Sequence, residues 1–111
     1  MPLVGQALWA AERALQAQSD SVFAFHRYNQ TDTTAANSAS AALNKWLKHY
    51  VPVGCTMHSF RHSMRDRLRA VECPFEMIDQ IGGWATDGIG ASYGTGYDHS
   101  ALVGWLRKIV T

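Results

Sequence analysis

Charge is in short supply: Asp, Glu, Lys and Arg make up 17% of the 111 residues, against ~25% in an average soluble domain, with Ala, Ser, Thr and Gly filling the gap. Cysteine is scarcer. Cys55 and Cys73 are the only two, and neither belongs to a CxxC pattern. That excludes a disulfide framework and a zinc knuckle and leaves two reduced, partly buried thiols as the expectation. No apolar run approaches the ~18 residues that a membrane helix needs. The opening MPLVGQALWAAER lacks the basic n-region and cleavage site of a signal peptide. A cytoplasmic chain without membrane contact is expected. Period-two alternation is scarce and no internal repeat is visible, which argues against a sheet-built or solenoid fold. What the chain does have is material for a core, since hydrophobic residues reach 47%. Wholesale disorder is thereby excluded, and the length fits one compact domain, residues 1–111, burying roughly two-thirds of its surface.

The net charge of +1 conceals a segregation. Residues 1–44 carry Arg13 and Arg27 against Glu12, Asp20 and Asp32. Residues 45–69 carry Lys45, Lys48, Arg61, Arg65, Arg67 and Arg69 against Asp66 alone. Residues 70–111 carry Arg107 and Lys108 against Glu72, Glu76, Asp79, Asp87 and Asp98. A basic block that also holds His49, His58 and His62 points to a polyanion partner, with a solvated helix face as the plain alternative.

The pattern predicts a mainly α fold. Leu8, Ala11 and Leu15 recur at helical spacing over Gln6 to Gln16, and Pro2 to Val4 is at most the stump of one strand. Ser21 to Tyr28 contains the apolar run VFAF and reads as an extended piece, followed by a polar loop from Asn29 to Asn37. From Ser38, an N-cap candidate, Ala39, Leu43, Trp46, Leu47 and Tyr50 form a stripe that Pro52 and Gly54 end. Thr56 can cap a third helix through Val71. Pro74 suits the first turn of a fourth that ends at Gly82-Gly83, and Ala101 to Val110 makes a fifth. The Gly-rich segment 85–98 reads as irregular.

The third helix divides into two faces. Phe60, Met64, Leu68 and Val71 lie on one side as core, while His58, Arg61, His62, Arg65 and Arg69 gather on the other within about 100° of arc. His58 and Arg61 are one turn apart, so both can reach one small anion, and a guanidinium can hold two phosphate oxygens at once. The plain alternative is an exposed amphipathic helix kept soluble by its arginines. His58 and His62 also have the i, i+4 spacing of a metal pair. Position 59, however, is Ser and not the Glu of HExxH, and no third ligand is placed, so neither metal nor cofactor is expected.

In chain order, HSFRHSMRDRL is followed by Gly83-Trp84 and then, nine residues beyond that Trp, by Tyr93 in ASYGTGY. This ordered set resembles the tyrosine recombinase family, the phage-type integrases, over about residues 56–97. PLVGQAL and NSASAALNKWL support it more loosely upstream. The resemblance implies the helical C-terminal part of the DNA breaking-rejoining catalytic fold, with 98–111 as its C-terminal helix. It further implies a role in site-specific DNA recombination and integration, as of a prophage, with His58, Arg61, Trp84 and Tyr93 as catalytic residues. Arg61 would clamp the non-bridging oxygens, His58 would donate to them or help move a proton, and Trp84 would donate its indole N–H. An indole cannot serve as acid or base. Tyr93 would attack phosphorus, leaving a 3′-phosphotyrosyl link and a free 5′-hydroxyl. A phenol with a pKa near 10 is only about one-thousandth ionised at pH 7, a deficit of ~4 kcal/mol that the cationic cluster must offset. Duplex DNA is the implied partner, with Lys45, Lys48, Arg65 and Arg69 as further contacts. Self-assembly of the full-length parent on DNA would run through the C-terminal segment.

Departures from the family pattern carry equal information. The family's other active-site Arg, on an early helix with an acidic residue close behind, and its hairpin Lys have no counterpart here. The chain therefore reads as the part of a catalytic domain that follows the hairpin, inactive by itself. Two other readings stay open. One is a non-catalytic helix-turn-helix DNA-binding module built from the third and fourth helices, with Cys73-Pro74 in the turn. The other is a helical interaction module whose last helix offers Leu102, Trp105, Leu106 and Ile109 to a partner. Tyr97, Tyr50 and Tyr28 are rival tyrosines without the family spacing. Trp84 and Tyr93 can equally be a core aromatic and a tyrosine ordering a Gly-rich loop.

Overall fold

The computed structural model describes residues 1–17, 22–29, 32–84 and 96–110, and it is mainly α. Helices α1 (Gly5–Ala17), α2 (Ala36–Leu47), α3 (Met57–Ala70), α4 (Phe75–Gly82) and α5 (His99–Ile109) follow one another. Among the described residues the β-pairing is limited to an isolated bridge between Asn29 and Thr34. Pro2–Val4 is irregular and not a strand; it has no neighbouring strand to join among the described residues, and Val4 packs on the core instead. The extended piece expected around VFAF is replaced over 22–28 by turns and bends. Local hydrogen bonds take the place of a ladder there. The Tyr28 N–H and the Asn29 side-chain amide both donate to the Phe25 carbonyl, each at 3.0 Å.

Helix boundaries follow the expected pattern with small shifts of physical origin. The second helix begins before Ser38, which lies inside it. Its entry is fixed by a tether, the Ala35 N–H donating to the Tyr28 carbonyl at 2.7 Å, with no side-chain cap. At the start of α3, Asn44 Oδ1 accepts from the Met57 N–H at 2.7 Å and Ser59 Oγ accepts from the Thr56 N–H at 3.0 Å. Two donors that a helix start would leave orphaned are thus satisfied. The end of α3 is a Schellman turn: the Cys73 N–H reaches the Leu68 carbonyl at 3.0 Å, the Glu72 N–H reaches Arg69 at 2.9 Å, and Glu72 stands at φ 60°. Pro74 caps α4 and is not within its first turn. Asp98 caps α5, its Oδ1 accepting from the Ala101 N–H at 2.8 Å, so that helix starts at His99, two residues before the predicted Ala101.

The residues group into two compact units, one of Met1–Leu8 with Arg61–Thr111 and one of Trp9–Phe60. In the first, Leu68 and Ile78 are fully buried, and Cys73, Met77, Ile81, Leu102, Leu106 and Ile109 complete the core, with Met64, Val71, Trp84 and Trp105 packed around it. The apolar face of α5 is therefore occupied by the chain's own core, which removes it as a free partner surface. The core stripe of α3 narrows to Met64, Leu68 and Val71. Phe60, expected on it, is exposed because it lies a turn before the stretch that packs on α4 and α5. In the second unit the buried apolar residue is Leu47.

Candidate functional site

Two arginines of α3 converge on one indole. The Arg61 guanidinium lies over the Trp84 ring, 4.3 Å from its centroid, and that of Arg65 lies 4.9 Å from the same centroid. Helical spacing explains the pairing, since residues four apart project from the same face one turn removed. Trp84 reaches them because the chain reverses tightly at the end of α4. Gly83 takes a left-handed conformation, φ 66° and ψ 33°, and the N–H groups of both Gly83 and Trp84 donate to the Asp79 carbonyl. Gly82 is needed for a different reason: a Cβ there would run into the six-membered ring of Trp84. The Gly-Gly-Trp sequence thus has one glycine for ring clearance and one for the left-handed turn.

Asp79 ties the cluster together, and nothing in the sequence reading singled it out. Among the described residues it is the buried acidic one, 7% exposed. Its main chain fixes Trp84 while its carboxylate faces Arg65, with Oδ1 3.6 Å from Nη2. That separation makes an ion pair but not a hydrogen bond, and Asp79 Oδ1 and Arg65 Nε are both buried without hydrogen-bond partners. The available signal was a lone acid set between Ile78 and Ile81 on an apolar face, beside a basic helix. Asp79 neutralises Arg65. Arg61 makes no ion pair with any carboxylate among the described residues, so the excess positive charge of the cluster belongs to it.

The other predicted site residues are distributed as follows. His58 is exposed in the first turn of α3, three residues before Arg61 on the same helix. Tyr93 lies outside the described residues. Arg69 pairs with Asp66 at 3.8 Å and sits 5.6 Å from the Phe75 ring centroid. Lys45 and Lys48 are exposed at the end of α2, in the Trp9–Phe60 unit. Tyr97, the nearest rival to Tyr93, is held to α4. Its hydroxyl donates to Glu76 Oε2 at 3.2 Å, its N–H donates to Gln80 Oε1 at 2.8 Å, and its carbonyl accepts from Gln80 Nε2 at 3.0 Å. The bond to Glu76 pushes the phenol above its usual pKa. A carboxylate beside it is also the wrong neighbour for attack on an anionic phosphodiester.

Among the described residues no group of three or more His, Cys, Asp or Glu could hold a metal ion, and no helix is long and apolar enough to cross a membrane. Both cysteines are free thiols, and burial raises the pKa of Cys73. The helix-turn-helix alternative needs the second helix to lie in the major groove. Five of the eight residues of α4 are buried, and it carries Glu76 and Asp79, so it offers DNA little surface and the wrong charge. No protein-family model, curated protein or solved structure matches the chain.

Proposed function

We propose that this chain supplies the HxxR, Gly-Trp and tyrosine part of a tyrosine recombinase catalytic domain. In that reading it takes the helical C-terminal portion of that fold and acts in site-specific DNA recombination. The observation that supports this most directly is the convergence of Arg61 and Trp84. Residues far apart in sequence, each singled out by motif, lie with guanidinium and ring 4.3 Å apart. Arg61 is half-buried and has no carboxylate partner among the described residues. A partly desolvated guanidinium over the indole ring, without a carboxylate partner among the described residues, suits the extra negative charge that non-bridging oxygens gather as phosphorus is attacked. His58 is the further donor that the HxxR motif supplies. Tyr93 is the nucleophile, and the commitment of Tyr97 to Glu76 and Gln80 leaves Tyr93 without its nearest competitor.

The test is a suicide DNA substrate, nicked beside the cleavage position so that a covalent adduct cannot religate. It is incubated with a protein in which the chain is joined to a segment bearing the missing Arg and Lys. Tyr93→Phe is expected to abolish the adduct while leaving DNA binding nearly unchanged, because only the phenolic oxygen is removed. Arg61→Ala should suppress the adduct and also weaken binding. Trp84→His should retain activity better than Trp84→Phe, since one keeps a donor N–H and the other loses it. A normal adduct from Tyr93→Phe would overturn the assignment of the nucleophile. The 111 residues alone should not recombine DNA, because loss of one transition-state donor costs ~10²–10³ in rate. Efficient recombination by the isolated chain would count against the family reading.

A further inference from the structure

We infer that the exposed aromatic and basic end of α2 is a stacking surface for the unpaired bases of single-stranded nucleic acid, with Trp46 and Tyr50 taking the bases and Lys45 and Lys48 the phosphates. The inference shares with the function proposed above a nucleic-acid partner and the two lysines, but it rests on the Trp46–Tyr50 ring pair, which that reading does not use, and all four residues lie within the Trp9–Phe60 unit.

The geometry starts from Leu47, which points inward at 4% exposure and ends α2. The chain then continues through a tight turn, with the His49 N–H donating to the Trp46 carbonyl at 3.2 Å and the Tyr50 N–H to that of Leu47 at 2.9 Å. Tyr50 is thereby brought back beside Trp46, ring centroids 4.7 Å apart and planes inclined at 40°. Both remain largely in water, 57% and 69% exposed. Two adjoining rings left wet forgo the burial that aromatic side chains ordinarily contribute, which marks a surface that a partner covers.

Charge selects that partner. Lys45, Lys48 and His49 are all exposed around the rings, and no Asp or Glu occurs from residue 33 to residue 60. A polyanion with flat apolar faces meets both requirements, and a single strand offers an open face on every base. An anionic membrane shares the charge but asks for a broad apolar helix face. Ahead of the rings α2 reads ANSASAALN, small residues apart from Leu43, which makes no broad face of large apolar side chains.

The probe is a fluorescein-labelled oligothymidylate of about twelve nucleotides, within the usual single-strand site range. Binding to the whole chain is followed by anisotropy across a salt series. Trp46→Ala and Tyr50→Ala are each expected to weaken binding by roughly tenfold at every salt concentration without changing the salt slope. Trp46→Phe should lose much less, because a stacking face survives. Lys45→Gln with Lys48→Gln should instead make the slope of log affinity against log salt shallower by about 1.4, or ~0.7 per phosphate released. All four side chains are exposed, and thermal melting verifies that the variants fold. Oligothymidylate binding indifferent to both aromatic substitutions, or no binding, would overturn the inference. So would Trp46-dependent binding to phosphatidylserine vesicles with none to the oligonucleotide. If the single strand is ignored while duplex binding depends on Arg61, this inference falls and the proposed function stands. Trp46-dependent binding of the single strand, with no adduct formed at Tyr93, would reverse that outcome.

Discussion

Glu72 shows how a single residue can sit against its own preference. The Schellman turn that ends α3 requires a left-handed residue, and Glu72 occupies that position at φ 60° although its Cβ makes the conformation costly. Glu72→Gly should stabilise the chain by about 0.5–1 kcal/mol, the relief of the left-handed penalty less the extra entropy of an unfolded glycine. Urea unfolding would register it as a higher midpoint with an unchanged m-value. Asp98 is the opposite case, a residue matched to its place. The Ala101 N–H and the Ser100 hydroxyl both donate to its carboxylate, and these bonds hold its pKa below the ordinary 3.8. A group depressed in the folded state contributes stability that is present above its unfolded pKa and lost as pH falls through the folded one. Asp98→Ala should therefore melt lower than the parent by roughly 5 °C at neutral pH. The gap should close as pH drops below 3.8; a gap unchanged by acid would mean that Asp98 acts by some means other than its charge.

Cap and breaker residues, Thr56 before the third helix and Pro74 and Gly82-Gly83 around the fourth, were enough to find α3 and α4, and the hydrophobic period put Leu68 on the core face of α3. It misjudged Phe60, since a stripe read from sequence cannot tell where along a helix the packing stops. VFAF was misread for a related reason: a short apolar run without a partner strand has nothing to pair with and closes into turns. Within the candidate site, Arg61 and Trp84 were legible as motif residues, but Asp79 was not, because its role arises only when α3 and α4 pack together. Gly82 belongs to the same assembly and gives it a clean test. A helical position accepts alanine without backbone strain, yet the Cβ of Gly82→Ala would collide with the Trp84 ring. That variant is expected to displace Trp84 from Arg61 and Arg65, lower stability by about 1–3 kcal/mol as overpacking does, and suppress the DNA adduct. Gly82→Ala with unaltered stability and an intact near-ultraviolet tryptophan signal would show that the ring is not held as described.

At the scale of the whole molecule, the modest net charge of +1 says little about partners, because the basic residues are concentrated in 45–69 and some of them are already neutralised. Arg65 is paired with Asp79 and Arg69 with Asp66, whereas Arg61 has no such partner among the described residues. Formal charge and available charge therefore differ, and under the proposed function duplex DNA should respond to the second. Each phosphate neutralised releases counterions worth about 0.9 in the slope of log affinity against log salt. Arg61→Gln should remove close to that amount while leaving thermal stability nearly intact, because no buried carboxylate is stranded. Arg65→Gln should do the reverse. Its charge is already spent on Asp79, so the slope should barely move, but the carboxylate left buried at 7% exposure should destabilise the fold. The cost is expected at about 2–3 kcal/mol, less than for a fully buried pair because a third of the Arg65 side chain stays in water. Asp79→Asn combined with Arg65→Gln should recover part of that loss, which a double-mutant cycle in urea would measure. Equal slopes for the parent and Arg61→Gln would mean that the guanidinium over Trp84 does not meet phosphate, and the anion site would lose its principal residue.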